Sequence, residues 1–161
     1  MQYLQDKQIA VPARANSWLM HTENAGEHSS LVLRLGGSEF LIEDQWDGIS
    51  AQNLLAETAR LTNVFPVARA DAAFIISGSA ALNLWSELCA IDLRDGALLA
   101  GDVVMTQVAG ISAVLLRQTL NGEPVYRLWC DGTYGADMWQ TLLKIAEELG
   151  GGAVGLSSYQ H

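Results

Sequence analysis

The sequence has 161 residues, half of them hydrophobic and 17% charged, with a net charge of −9 at neutral pH. That length suits one domain with its own core, and the apolar content sets intrinsic disorder aside. The negative balance, with nine scattered Lys and Arg and no basic run, excludes nucleic acid and anionic membrane surfaces as expected partners.

A charged fraction below the ~25% usual for soluble domains has two readings. Much of the surface lies in a subunit interface, or the chain is a compact α+β domain with a large core. Residues 1–18 include Asp6, Lys7 and Arg14 and lack the apolar centre of a signal peptide. No run approaches the ~18 apolar residues of a spanning helix, so a cytoplasmic protein is expected. Cys89 and Cys130 read as buried thiols of a reducing compartment.

Residues 1–30 lack sustained periodicity and read as an arm and loop, leaving 31–161 as a single α+β domain. Leu31, Leu33 and Leu35 alternate with Val32 and Arg34, and Phe40 and Ile42 follow Gly36-Gly37. This predicts a hairpin in which the glycines supply positive φ. Ser50 is placed to cap a helix with Leu54, Leu55, Thr58 and Leu61 on its apolar face. Val64–Val67 reads as extended, confined by Pro66 to an edge or a bend.

Phe74, Ile75 and Ile76 predict a short buried strand ending at Ser77-Gly78. Ser79 then caps a helix with Ala81, Leu84, Trp85 and Leu88 on one face. After a turn at Asp95-Gly96 come strands at 103–108 and 111–119, joined tightly at Ala109-Gly110. Asn121-Gly122 turns into a third strand at 125–130. A helix over 133–149 presents Met138, Leu142, Ile145 and Leu149, stops at Gly150, and precedes a last strand at 153–156. The pattern predicts antiparallel sheets with helices packed on one face. It also carries a faint echo, hairpin then helix then strand, over 31–67 and 111–156.

No catalytic, cofactor-binding or metal-ligating residue is assigned. His21 and His28 with Glu23 and Glu27 do not have a recurrent metal-ligand spacing, and His161 is the only other histidine. Ser77-Gly78-Ser79 lies between a strand and a helix but lacks the Gly-x-Ser-x-Gly of a nucleophile elbow. Gly150-Gly151-Gly152 follows a helix, the wrong polarity for a phosphate cradle. Asp92, Arg94 and Asp95 read as a solvated turn with a local ion pair. Of the five tryptophans, Trp85 and Trp139 are expected in the core, while Trp129 lies on the opposite strand face from Leu128, so at least one of those two faces is expected to be covered. Trp18 and Trp46, in expected loops, are the candidates for partner contact.

Three stretches carry a family likeness from about Leu31 to Gly150. They are Leu33-Arg34-Leu35-Gly36-Gly37-Ser38-Glu39-Phe40-Leu41-Ile42, the run from Ile76-Ser77-Gly78-Ser79-Ala80-Ala81 to Cys89-Ala90-Ile91-Asp92-Leu93, and Gln107–Ile111 with Val114–Leu116 and Tyr134–Leu142. Their order and spacing resemble the gamma subunit of heterotetrameric sarcosine oxidase, with Ser79 where the family usually has proline. The resemblance implies the folate-binding fold of aminomethyltransferases, with pseudo-repeated halves. It also implies assembly with an alpha subunit carrying NAD and a folate site, a beta subunit carrying flavin and a zinc-binding delta subunit. No cofactor is implied for gamma itself. The complex would demethylate sarcosine oxidatively to glycine and pass the one-carbon unit to tetrahydrofolate. Three other readings stand beside it: a stand-alone folate-binding or aminomethyltransferase-like protein, the equivalent subunit of an N-methylglutamate dehydrogenase-type complex, and a plain α+β domain of unrelated function whose similarity is convergence of pattern.

Overall fold

A computed structural model describes residues 1–23, 28–44, 50–99 and 101–155, with backbone alone at residues 23, 28 and 50. The fold is α+β, with four helices and two antiparallel sheets among these residues. The chain divides into two compact units, Met1–Arg69 with Gly101–Val103 and Ala70–Ala100 with Val104–His161.

The first unit holds α1 (Gln2–Asp6), β1 (Ser17–Glu23), β2 (His28–Arg34), β3 (Phe40–Asp44) and α2 (Ser50–Thr58). Within residues 1–30, expected as an arm and loop, lie α1, β1 and the start of β2. β1 pairs antiparallel along β2, from Ser17 opposite Arg34 to Glu23 opposite His28. Being central in the order β1-β2-β3, β2 buries side chains on both faces, so Leu31, Val32 and Leu33 are all inaccessible. That explains an apolar run where one-sided burial would alternate.

The β2–β3 connection is a longer loop than expected, closed by the Leu35 N–H on the Glu39 carbonyl at 2.9 Å. Neither Gly36 nor Gly37 takes positive φ. At the start of α2, the Asp44 carboxylate accepts the Ala51 N–H at 2.6 Å and the Ser30 hydroxyl at 2.7 Å. A residue from β3 thus satisfies a backbone donor that helices leave open at their N-termini. Thr58 is buried by turning its hydroxyl onto the Leu54 and Leu55 carbonyls, while Leu55 and Leu61 stay exposed. Residues 64–67 form no strand, and Phe65 and Val67 are exposed.

The second unit holds β4 (Asp71–Ser77), α3 (Ala81–Leu88), β5 (Val103–Val108, its first residue counted with the other unit), β6 (Ile111–Leu120), β7 (Glu123–Asp131) and α4 (Gly135–Glu148). The sheet order is β4-β7-β6-β5. Two hairpin turns have both central residues in the left-handed region: Ala109 and Gly110 at φ 51 and 79, Asn121 and Gly122 at φ 52 and 84. Such turns match the twist of antiparallel strands. Alanine is a poor occupant of that region. Its position is held because the Ala109 N–H donates to the Leu88 carbonyl, left open at the end of α3, at 2.9 Å.

Helices α3 and α4 share one core with a single face of this sheet, as expected. Ala81, Leu84, Trp85, Met138 and Leu142 meet Ala113, Leu115, Tyr126, Leu128 and Cys130. Each large side chain so buried contributes roughly 1.5–3 kcal/mol. The Trp85 and Tyr126 rings lie 5.8 Å apart, tilted by 58°, and the Tyr126 hydroxyl donates to the Leu93 carbonyl at 3.4 Å. Ser79 does not cap α3; the N-cap is Ala80, with no side-chain bond. The Gly78 conformation, φ 106, already turns the chain into the helix.

A 3-10 turn (Gly132–Tyr134) leads into α4. The helix ends as expected at Gly150, φ 80, with Gly150 N–H on the Glu147 carbonyl and Gly151 N–H on the Ala146 carbonyl. This double closure satisfies two of the carbonyls a helix leaves open. Residues 153–155 form no strand, and 156 lies outside the described residues. What the halves share is a three-strand meander followed by a helix, β1-β2-β3-α2 and β5-β6-β7-α4, without the final strand expected in each.

Candidate interaction surface

The second unit has an exposed aromatic pair at β4. Trp139 is 46% exposed, not in the core as its helical phase suggested. It stacks on Phe74 of β4, centroids 6.4 Å apart and planes 19° from parallel. Tyr134, in the 3-10 turn before α4, is 49% exposed. Every β4 residue is at least partly exposed, whereas its neighbour β7 is mostly buried. Trp85 is buried as expected, and Trp129 and Leu128, on opposite faces of their strand, are both buried.

Trp18 is half-buried in β1, opposite Leu33. Its backbone N–H donates to the Gly101 carbonyl at 2.8 Å, and its indole N–H has no hydrogen-bond partner among the described residues. It belongs to a strand rather than a loop. Trp46 lies outside the described residues.

The register sets Glu23 opposite His28, with His21 two residues along the same strand. Glu27 lies outside the described residues. The His21 ring nitrogen Nδ1 accepts the Ala10 N–H at 3.3 Å, a structural contact. Among the described residues no group of three His, Cys, Asp or Glu could hold a metal ion. Ser77 ends β4 and Ser79 is exposed, a turn between strand and helix.

The Asp92–Arg94–Asp95 corner is a turn with local ion pairs. Arg94 donates to Asp92 through its backbone N–H, Nε and Nη2 at 3.0, 2.9 and 2.6 Å, and Asp95 pairs with Arg117. The Arg94 side-chain bonds, then its N–H, hold the Asp92 carboxyl down to about 2. An ordinary unfolded Asp titrates near ~4. The small stabilisation this exposed pair gives is therefore complete above ~4 and lost as the pH falls through about 2. An NMR titration of the side-chain carboxyl is expected to show that low midpoint, and Arg94→Ala to return it towards the ordinary range.

Cys89 and Cys130 are free and buried. Burial, then the charges of Asp71 and Asp131, pushes the Cys130 thiol up, away from the thiolate that reacts. A disulfide reagent at mildly alkaline pH is expected to label Cys130, in a Cys89→Ser background, roughly a hundredfold more slowly in the folded chain than in urea. Equal rates would contradict this environment.

No helix among the described residues is long and apolar enough to cross a membrane. No protein-family model matches the chain, and no curated protein matches it.

Proposed function

We propose that this chain is a non-catalytic, cytoplasmic subunit of an amine-oxidising flavoenzyme, the gamma subunit of a heterotetrameric sarcosine oxidase, built on the folate-binding fold of aminomethyltransferases. The observation that carries this reading is the aromatic surface beside β4. A 46% exposed Trp139 stacked on Phe74 is the kind of rigid amphipathic surface that interfaces bury, and Tyr134 in the turn before α4 is exposed as well. The low charged fraction and the order of the three sequence stretches support it further. The repeated meander-plus-helix is compatible with the pseudo-repeated halves of that fold.

In this reading flavin, NAD, folate and zinc belong to the alpha, beta and delta partners, and sarcosine is oxidised there. This chain contributes surface. A tagged chain is purified at low salt from its host grown on sarcosine, and the absorbance spectrum and the masses of co-purifying polypeptides are recorded. A yellow assembly of three further polypeptides with sarcosine-dependent oxygen uptake is the expected result. A colourless 17.4 kDa protein arriving alone overturns the reading. The same assembly oxidising N-methylglutamate instead would keep the subunit role and overturn the substrate.

A further inference from the structure

Tyr126 of β7 faces the core shared with α3 and α4. In the register of the second sheet it lies between Ile76 of β4 and Arg117 of β6, and side chains directly opposite one another share a face. A guanidinium is thus carried onto the core face of the sheet, with its side chain only 25% exposed. Its Nη2 pairs with the Asp95 carboxylate, which belongs to a turn and is itself 84% exposed. The neighbouring nitrogen of the same fork, Nε, is buried and has no hydrogen-bond partner among the described residues. The Trp85 ring meets the same tyrosine at 5.8 Å. Trp85 is 1% exposed, and its indole N–H is likewise buried without a partner among these residues. Buried donors are normally paired, and here two that are not flank Tyr126. The Tyr126 hydroxyl itself reaches only the Leu93 carbonyl, at 3.4 Å.

We propose that Arg117 and Trp85 form a binding site for a small free carboxylate, and that the Asp95 carboxylate holds the same position until the ligand displaces it. Asp95 defines the chemistry, since the group already paired with Arg117 is a carboxylate. Tied to its turn, it engages one nitrogen of the fork. Nε and Nη2 lie along one edge of a guanidinium, and a carboxylate free to approach that edge accepts from both, the two-bond geometry in which arginine holds carboxylates most strongly. An ionised carboxylate has only acceptors, and an indole N–H only donates, so the same ligand suits Trp85. An exposed ion pair is weak, so Asp95 yields readily. Its turn is closed on itself by the Ala97 N–H on the Arg94 carbonyl at 3.1 Å, and keeps its shape when the pair opens. The ligand is small because the donors it must reach lie among core side chains. All of these residues belong to the second unit. The site concerns the chain alone and stands or falls independently of the assembly proposed above.

An NMR titration of the isotopically labelled full chain with sodium acetate at neutral pH, against sodium chloride at the same ionic strength, tests it. The indole N–H signal of Trp85, identified by its loss in Trp85→Phe, is expected to move saturably with acetate. Its midpoint is expected on the order of 1 mM, a scale open to so small a ligand. Chloride is expected to leave the signal in place. Arg117→Gln, which removes the fork, is expected to weaken acetate binding at least about tenfold. Because that variant also disturbs the core, the exposed Asp95 is changed as well. Asp95→Asn removes the competing carboxylate and is expected to tighten acetate binding about threefold, whereas a pair that only fastens the turn gives no such gain. An indole signal that acetate does not move, or that chloride moves equally, overturns the inference. So does acetate binding that is unchanged in Arg117→Gln, or no tighter in Asp95→Asn than in the parent.

Discussion

Gly132→Ala is expected to lower the unfolding free energy by about 3 kcal/mol, the upper range for overpacking a site that cannot relax. Asp131 is the last residue of β7 and pairs with Asp71, the first of β4, so the next residue on one strand meets the preceding residue on the other. A methyl group on Gly132 would overlap the carbonyl oxygen of Ala70. That oxygen is backbone, and it cannot swing aside as a side chain would. Gly132 cannot rotate away either. The Asp131 carboxylate holds the following turn through the Thr133 N–H at 2.8 Å and the Thr133 hydroxyl at 2.6 Å. Gly135 provides the contrast. Its added methyl would come 3.0 Å from the Ala72 methyl, a close contact with a side chain, while alanine in a helix gains about 1 kcal/mol over glycine. Gly135→Ala should fall within about 1 kcal/mol of the parent. Urea unfolding of the three proteins checks both. A Gly132→Ala midpoint equal to the parent's would mean that the turn shifts freely.

The neighbourhood of Gly132 also shows what the sequence could reveal. Local signals were legible. Asn121-Gly122 announces its turn because both residues tolerate positive φ, and Met138, Leu142, Ile145 and Leu149 announce α4 because its buried face repeats with the helical period. Glycine at 132 gave no signal, since its necessity comes from Ala70, far away in the chain. Trp139 was misplaced for a related reason. Its helical phase puts it beside buried residues, but the sheet ends at β4, and Trp139 stays 46% exposed although it stacks on Phe74. Ser79 looked like a cap because serine usually is one, while Gly78 had already made the turn. β1 escaped notice because an edge strand is unevenly buried. Ser17 is inaccessible, Trp18, Leu19 and His21 are half-buried, and Met20 is exposed, which leaves no period of two to find. The aromatic surface was therefore written in the sequence as residue types, but its location depended on which strand lies at the edge.

The ordering of residues 1–16 was hidden for a different reason: part of it depends on the side chain of Arg34. This guanidinium, over the Phe40 ring at 5.9 Å, places four hydrogen bonds on four carbonyls. Nε donates to Gly36 at 3.1 Å and Nη2 to Gly37 at 3.0 Å, shaping the β2–β3 loop. Nη1 donates to Pro12 at 3.3 Å and Ala13 at 2.7 Å, fastening the segment that leads into β1. Only a planar fork with donors on three nitrogens can serve both segments together. Lysine keeps the charge but gathers its donors at one point, so it can reach one segment and must release the other. Arg34→Met and Arg34→Lys are accordingly expected to cost similar amounts, about 2 kcal/mol each, because of the four carbonyls only Pro12's belongs to a buried residue and water can serve the others. If charge were what mattered, the lysine variant would recover most of the loss. The two mechanisms also differ in where protection disappears. Loss of the fork should raise amide exchange over residues 9–16 in both variants while the second unit keeps its parent rates. Unchanged exchange there, with lysine restoring the unfolding midpoint, would show that the guanidinium acts through its charge and not through the carbonyls it ties together.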